Sequence, residues 1–321
     1  MTKLVWWRMR LEDCLPAELQ GSSTTITRVG AGMSGAGVYR VDAQGRLFVL
    51  KVSPEGEASS AWAARLELLR VASAAGVAPG VVHSDESRRS VLSAFISDRS
   101  FPALFAQPDT RERALALLAR LLRRVHDLPP PPGAARSDAR ALLEGLWSGL
   151  AQSFALPAFV REAVRRVLDE PAPEHDRALG LSHNDVNPTN LAYDGEQLFL
   201  LDWDTAGLNE PFHDLATIAV FLRMDDATCR TLIALHDDRP ERALPARFAY
   251  DRRLVAALCG AMFLHLARQG GHAGAAGNET ADMTPSLGEF YQRLRSGQAS
   301  LGSPEGRWLG GLALVKESAA L

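Results

Sequence analysis

Cysteine is scarce in this chain of 321 residues. There are three, Cys14, Cys229 and Cys259, odd in number and far apart. No Cys-x-x-Cys pair occurs, which argues against a disulfide framework or a thiolate zinc site. An excess of positive charge is also missing. The net charge is −3 with histidine neutral, and no Lys/Arg run stands out, so neither nucleic acid nor an anionic membrane surface is an expected partner. Long hydrophobic runs are absent as well: none approaches the roughly eighteen uncharged residues of a membrane span. "ALALLARLLRRV" is interrupted by Arg120 and reads as an amphipathic helix. The opening "MTKLVWWRMRLED" has an apolar patch broken by Arg8 and Arg10, too short for the core of a secretion signal. No internal repeat is apparent. What remains, 46% hydrophobic and 23% charged, is an ordinary globular composition with room for two lobes. The expectation is a cytoplasmic protein, with monomer and homodimer both open.

The first third reads as strands around a Gly-rich turn. "TTITRV" (24–29) alternates, "GAGMSGAG" (30–37) turns, and "VYRV" (38–41) and "LFVLKV" (47–52) follow, joined by "DAQG", a hairpin signal. "EASSAWAARLELLRVASAAG" (57–76) has helical spacing and a terminal Gly. "VVHSD" and "SVLSAFI" predict two more strands. After Phe95 the character changes. Residues 110–128 predict a strong amphipathic helix, ended by "PPPP" (129–132), and 137–170 carry two further helical patterns. "NLAYDGEQLFLLD" (190–202) predicts a hairpin turning at Asp194-Gly195. From Pro211 onward the pattern is mostly helical, with a mobile Gly-rich segment expected at 268–282. The lobe boundary falls near residue 97.

Several residues could carry chemistry. Gly30, Gly32 and Gly35 fit G-x-G-x-x-G, but a strand follows instead of the helix of a dinucleotide fold. A hairpin of this kind either folds over a triphosphate, offering backbone N–H groups and the Ser34 hydroxyl, or is simply a flexible turn. Lys51 lies in an apolar strand, where an ammonium group is costly unless paired. A triphosphate and a helix carboxylate would pair it. Glu67, among leucines in mid-helix, is the better candidate; Glu57 at the helix start merely suits the dipole. "LSHNDVNPTN" (181–190) and "FLLDWD" (199–204) add Asp185, able to accept a hydroxyl proton, and Asn190 and Asp202, oxygen donors for a divalent cation. Each alone reads as a turn former; all in this order read as a site. His183 is expected to be scaffolding, and Asn187-Pro188-Thr189 to shape the turn.

Taken together, the Gly-rich hairpin, Lys51, Glu67, "HNDVNPTN" and "LLDWD" resemble the aminoglycoside phosphotransferase and choline kinase superfamily of protein-kinase-like enzymes over roughly residues 24–224. "GMSGAGVYRV" looks like the aminoglycoside branch, "HND" and "LLDWDTAGLNEPFHDLA" (200–216) like the bacterial choline kinase branch. The resemblance implies an α+β, bilobal protein-kinase-like fold. Residues 1–97 would form a nucleotide-binding lobe with a small antiparallel sheet and one helix. Residues 98–321 would form a larger, mainly helical catalytic and substrate-binding lobe. It implies Asp185 as base, Asn190 and Asp202 as Mg²⁺ ligands, and ATP bound by Gly32, Ser34, Gly35, Lys51 and Glu67, with Phe95 and Ile96 at the inter-lobe hinge. "HDLA" begins only eleven positions after Asp202, too few for a regulatory activation segment. Asp214 would cap a helix and tie down the catalytic loop. Asp204 fits either a second acidic neighbour of the metal or a surface turn. Gly37 stands where many relatives carry a larger polar residue, and "GGLALVKESAAL" lacks the ending of the aminoglycoside 3′-kinases.

The implied reaction is transfer of the ATP γ-phosphoryl group to the hydroxyl of a small molecule, an amino alcohol such as choline or ethanolamine before others. An aminoglycoside or other antibiotic, thiamine or a sugar stays open. A cationic acceptor would want acids and aromatics, for which Glu210, Asp225, Asp226, Glu289, Tyr291, Phe263, Trp147 and Trp308 are candidates; each also fits a core or surface role. A non-catalytic nucleotide-binding scaffold is the alternative from another class, and the intact set Lys51, Asp185, Asn190 and Asp202 argues against it.

Overall fold

A computed structural model describes residues 10–29, 35–54, 56–175 and 177–321. Gly30, Gly32 and Ser34 lie outside the described residues. The contacts divide the chain into two compact units, Met1–Ala134 with Thr189–Ala206, and Ala135–Pro188 with Gly207–Leu321. This division does not fall at residue 97: the helices that follow the sheet, and the hairpin after "HNDVNPTN", belong with the sheet.

The first unit is built on five antiparallel strands, β1 (Thr25–Arg28), β2 (Gly37–Ala43), β3 (Arg46–Val52), β4 (Val81–Asp85) and β5 (Ser90–Ala94), in the order β1-β2-β3-β5-β4. Gln44 and Gly45 turn the β2–β3 hairpin with φ of 54° and 71°. That left-handed pair matches strand twist in a two-residue turn. Alternation along β3 then decides the site. Phe48, Leu50 and Val52 are buried with Cys14, Leu15 and Leu19 in one cluster, so Val49 and Lys51 face the other way. Helix α1 (Ser59–Ala74) follows β3. Helix α2 (Phe101–Ala106), absent from the sequence-based expectation, starts where the Ser100 hydroxyl accepts the Ala103 N–H at 3.3 Å. Helix α3 (Pro108–His126) buries Leu115, Leu118, Leu122 and Val125, the stripe its periodicity predicts. Strands β7 (Leu191–Tyr193) and β8 (Leu198–Leu200) form the expected hairpin. Its turn is wider than a two-residue one, because the Asp194 carboxylate accepts both the Glu196 and Gln197 amides. The hairpin is stitched to this unit by Arg99 N–H to Tyr193 O at 2.7 Å and Leu200 N–H to Val77 O at 2.8 Å.

The second unit is helical. It comprises α4 (Ala139–Ser153), α5 (Ala158–Asp169), α6 (Pro211–Phe221), α7 (Asp226–Asp237), α8 (Ala246–Gln269), α9 (Leu287–Arg295) and α10 (Pro304–Ala320). Strands β6 (Gly180–Ser182) and β9 (Gly207–Asn209) pair antiparallel within it. Gly260 and Gly311 let α8 and α10 approach closely: a Cβ on Gly260 would sit 3.0 Å from the Gly311 carbonyl oxygen. The Gly-rich segment expected to be mobile is packed instead. His272 stacks on Trp308 with ring centroids 4.5 Å apart, and Ala275 N–H donates to Ala155 O at 2.8 Å. Composition suggested looseness; one aromatic in the segment supplied an anchor.

A half-buried ion pair also braces this unit. Arg177 reaches both oxygens of Asp237 at 2.6 Å and lies 4.1 Å over the Phe212 ring. Burial pushes the Asp237 carboxyl up, but hydrogen bonds from His236 and Arg177 outweigh it and hold it well below the usual carboxylate range. The folded-state value is the lower one, so this stabilisation is present above the ordinary aspartate pKa and lost as pH falls through the depressed one. Arg177→Met is expected to move the midpoint of acid unfolding to higher pH, read by far-UV circular dichroism. An unchanged midpoint contradicts the assignment. Among the described residues, no helix is long and apolar enough to cross a membrane.

Candidate functional site

In the first unit the exposed side of β3 opens onto a cavity of about 360 Å³. Val38, Val49, Val91, Leu66 and Leu69 make it apolar on one side. Ser93, Ala94, Phe95 and Ile96 form its rim where β5 leaves the sheet. Lys51, Asn190, Asp202 and Asp204 supply the polar end. Apolar walls with a few convergent polar groups are the usual make-up of a small-molecule site. Arginine supplies all but three of the 35 basic residues, and the lysines are Lys3, Lys51 and Lys316. A compact ammonium is thus retained at the cavity in a chain that otherwise uses guanidinium.

Lys51 Nζ lies 2.6 Å from Asp202 Oδ1 and 2.7 Å from Asp204 Oδ2. Its strand position demanded a partner, and the turn after β8 provides two. Asp202 has φ 58° and ψ 70°, a left-handed conformation uncommon for residues other than glycine. It is held there by neighbours: Leu201 N–H donates to Asn190 O at 2.8 Å and Trp203 Nε1–H to Leu200 O at 3.0 Å. These bonds also set Asn190, which is 8% exposed, beside Asp202 on the cavity wall. The Asn190 amide oxygen and the Asp202 carboxylate are hard oxygen donors. They suit Mg²⁺, which keeps several waters and needs few protein ligands.

Glu67, expected to hold Lys51, does not. Trp62, Arg65, Leu66 and Leu69 line the cavity, the i, i+3, i+4, i+7 face of α1. Glu67 is off that face and exposed. The helix points Arg65 inward, where it pairs with Asp204 at 2.7 Å and Glu57 at 2.6 Å. Arg65 was missed. The helical phase of Trp62, Leu66 and Leu69 is the signal that could have found it. Gly35 has φ 73°, a left-handed conformation that favours glycine, and is not among the cavity residues.

Asp185 belongs to the second unit. It is half-buried in the loop after β6, and the Asn187 side-chain amide donates to its Oδ1 at 2.9 Å. Asn187 therefore orients the carboxylate as well as shaping the turn. The loop is fixed from below: the Asp214 carboxylate accepts the His183 and Asn184 N–H groups, each at 2.8 Å. The tie expected of Asp214 is present, but the residue sits in the first turn of α6, whose N-cap is Glu210. His183 is fully buried, consistent with scaffolding. Burial pushes the Cys259 thiol up to about 12, with a further rise from the charge of Asp185. Cys259 packs on the same apolar cluster as Phe263 and Tyr291.

Asp214→Ala removes the acceptor of one buried and one part-buried N–H group. Hydrogen bonds to charged groups contribute about 1.5–3 kcal/mol each, so a loss of about 3 kcal/mol or more is expected in urea unfolding, together with loss of turnover. Wild-type stability would contradict this account of the loop.

The acceptor candidates sort by geometry. Glu210 is fully buried against His175 and Arg247, and burial raises its pKa. Asp225 caps α7, Asp226 pairs with Arg252, and Glu289 completes a capping box. Trp308 is in the core, and Trp147 packs against the same cluster from its edge. Phe263 and Tyr291 remain.

A family model described as the phosphotransferase enzyme family matches residues 25–250. This chain belongs to that family. Several phosphotransferases share its fold. A choline/ethanolamine kinase family protein from Mesorhizobium loti superposes with a TM-score of 0.61 at 21% identity, covering 92% of this chain and 94% of that one. A macrolide 2′-phosphotransferase of type I superposes with a TM-score of 0.60 at 18% identity, covering 80% and 92%. At these identities the likeness is one of fold, the protein-kinase-like one implied by the sequence. Among curated proteins, LicA of Haemophilus influenzae is 47% identical over 36 residues, which span 11% of this chain and 14% of that protein.

Proposed function

We propose that this phosphotransferase is an ATP- and Mg²⁺-dependent small-molecule kinase that transfers the γ-phosphoryl group to a hydroxyl. The observation that carries the reading is the cavity where Lys51 meets Asp202, with Asn190 on the same wall. The apolar walls suit a flat base, with Phe95 and Ile96 at its edge, and Gly32, Ser34 and Gly35 would contribute contacts to the phosphates. Lys51 would grip the α- and β-phosphates. Asn190 and Asp202 would hold Mg²⁺, which supplies charge neutralisation on the transferring phosphates. Lys51 must then exchange Asp202 for phosphate, and the second carboxylate, Asp204, keeps it in place. Asp185, oriented by Asn187, accepts the proton of the acceptor hydroxyl.

The acceptor we favour is an amino alcohol of the choline or ethanolamine kind. Phe263 and Tyr291, in the same cluster as Cys259, offer aromatic surface to a cationic head group. The catalytic-loop likeness to bacterial choline kinases supports the same choice. The experiment is ATP consumption over a panel of amino alcohols, sugars, thiamine, aminoglycosides and macrolides, with the phosphorylated product identified by ³¹P NMR. Stimulation by an amino alcohol above the rest is expected. Stimulation by a macrolide or aminoglycoside alone would assign an antibiotic acceptor, and none by any compound would count against a small-molecule kinase.

A further inference from the structure

Reading the cavity as a nucleotide site leaves Arg65 without a role. Its side chain is 23% exposed and its contacts are specific. Nη1 lies 2.7 Å from Asp204 Oδ1, and Nη2 lies 2.6 Å from Glu57 Oε1 and 3.2 Å from Ser53 Oγ. The other oxygen of Asp204, Oδ2, is 2.7 Å from Lys51 Nζ. Asp204 therefore bridges two cations, and Arg65 bridges two carboxylates. The pairs run in a line, Lys51 to Asp204 to Arg65 to Glu57, and Asp202 stands outside it, touching Lys51 alone among these groups. Two cations and three carboxylates leave the cluster with one uncompensated negative charge. A polyphosphate entering this cluster is repelled by any carboxylate that loses its partner.

We propose that Arg65 is a positioning residue for phosphoryl transfer, which neutralises and orients Asp204 so that Asp204 keeps Lys51 aimed at the phosphates while Asp202 turns to the metal. The proposal rests on the nucleotide reading above and deepens it. Helix α1 was expected to steer the lysine through a carboxylate, Glu67. It does so with the opposite sign: the helix carries the cation, and the carboxylate sits on the turn after β8. A guanidinium suits the place. Its planar fork takes a carboxylate on each side, whereas an ammonium is a point charge without that geometry. Without Arg65, Asp204 stands uncompensated beside the incoming phosphates, and the link between α1 and the turn is cut.

The test is calorimetric binding of a non-hydrolysable ATP analogue with Mg²⁺ to the whole chain, alongside the KM for ATP and the thermal midpoint. Arg65→Met is expected to weaken analogue binding and raise the KM about tenfold by exposing the Asp204 charge, with the midpoint little changed. Adding Asp204→Asn to Arg65→Met is expected to restore most of the affinity, because the repelling charge is then gone. A residue that only braced the fold would show no such rescue. Glu67→Ala, on the exposed face, is expected to bind as wild type does. If Arg65→Met does not fold, Arg65→Gln, which also removes the charge, stands in for it, with weaker binding and the same rescue expected. Wild-type affinity in either Arg65 variant overturns the proposal. So does a double variant weaker than the single. Absence of Mg²⁺-dependent analogue binding in the wild type is a different result: it removes the nucleotide reading itself, and the proposal with it.

Discussion

Asp185→Asn is expected to lower kcat by about 10²–10⁴-fold, the usual contribution of a positioned general base, while Mg²⁺-nucleotide affinity stays within about twofold. The change keeps size and hydrogen bonding but removes the proton acceptor. It leaves the cavity around Lys51 untouched, since Asp185 is not among the residues that line it. The loop should survive, because its two anchors are the His183 and Asn184 amides on Asp214, not the Asp185 side chain. Loss of catalysis with binding retained is the signature of a group that acts in the transition state. Turnover near wild type would remove Asp185 from the role of base. A parallel loss of nucleotide affinity would mean that it acts on the metal instead.

The second large effect is expected at Asp202. Asp202→Ala deletes one of the two carboxylates on Lys51 and the only charged ligand proposed for Mg²⁺. Turnover should fall by about 10³-fold or more, because the ion offsets the charge that develops on the transferring phosphoryl group. The diagnostic feature is metal dependence. In the wild type, Mg²⁺ should strengthen nucleotide binding; in the variant, affinity with and without Mg²⁺ should converge. Lys51 keeps Asp204 as a partner at 2.7 Å, so the variant should fold, and a cooperative thermal transition would verify that. Retention of a full Mg²⁺ response would place the metal elsewhere.

Local signals wrote much of this fold into the sequence. The β2–β3 hairpin was legible because Gln44-Gly45 supplies the left-handed turn, and β3 because it alternates around a lysine. Helix α3 was legible from its apolar stripe. Helix α2 was not: six residues with a proline carry too little periodicity, and its Ser100 cap is an ordinary polar residue until the backbone is seen. The division of the chain was not legible either. The β7–β8 hairpin returns to the sheet through Arg99 and Val77, contacts between residues more than ninety positions apart. The segment 268–282 looked loose by composition, yet His272 finds Trp308.

At the site, chain order was informative and pairing was not. Lys51, Asn190, Asp202, Phe95 and Ile96 could be singled out by strand position and motif, and they line one cavity. The partner of Lys51 was misassigned because a leucine-flanked glutamate seemed to need a reason for being in mid-helix. Its reason is exposure, one residue off the inward face. The inward position two residues earlier holds Arg65, in phase with Trp62, Leu66 and Leu69, but its pairing depends on Asp204, far along the chain. Asn187, read first as shaping the turn, holds Asp185, and Asp204, for which a place beside the metal and a surface turn were both open, holds Lys51.

The most direct measurement is a calorimetric titration of the wild type and of Lys51→Met with a non-hydrolysable ATP analogue, each with and without Mg²⁺. The expected result is one site per chain in the wild type, strengthened by Mg²⁺, and binding weakened at least about tenfold in Lys51→Met, as expected when a charged phosphate contact is lost. Equal binding by the two proteins, or no binding by the wild type, would contradict the assignment of this cavity.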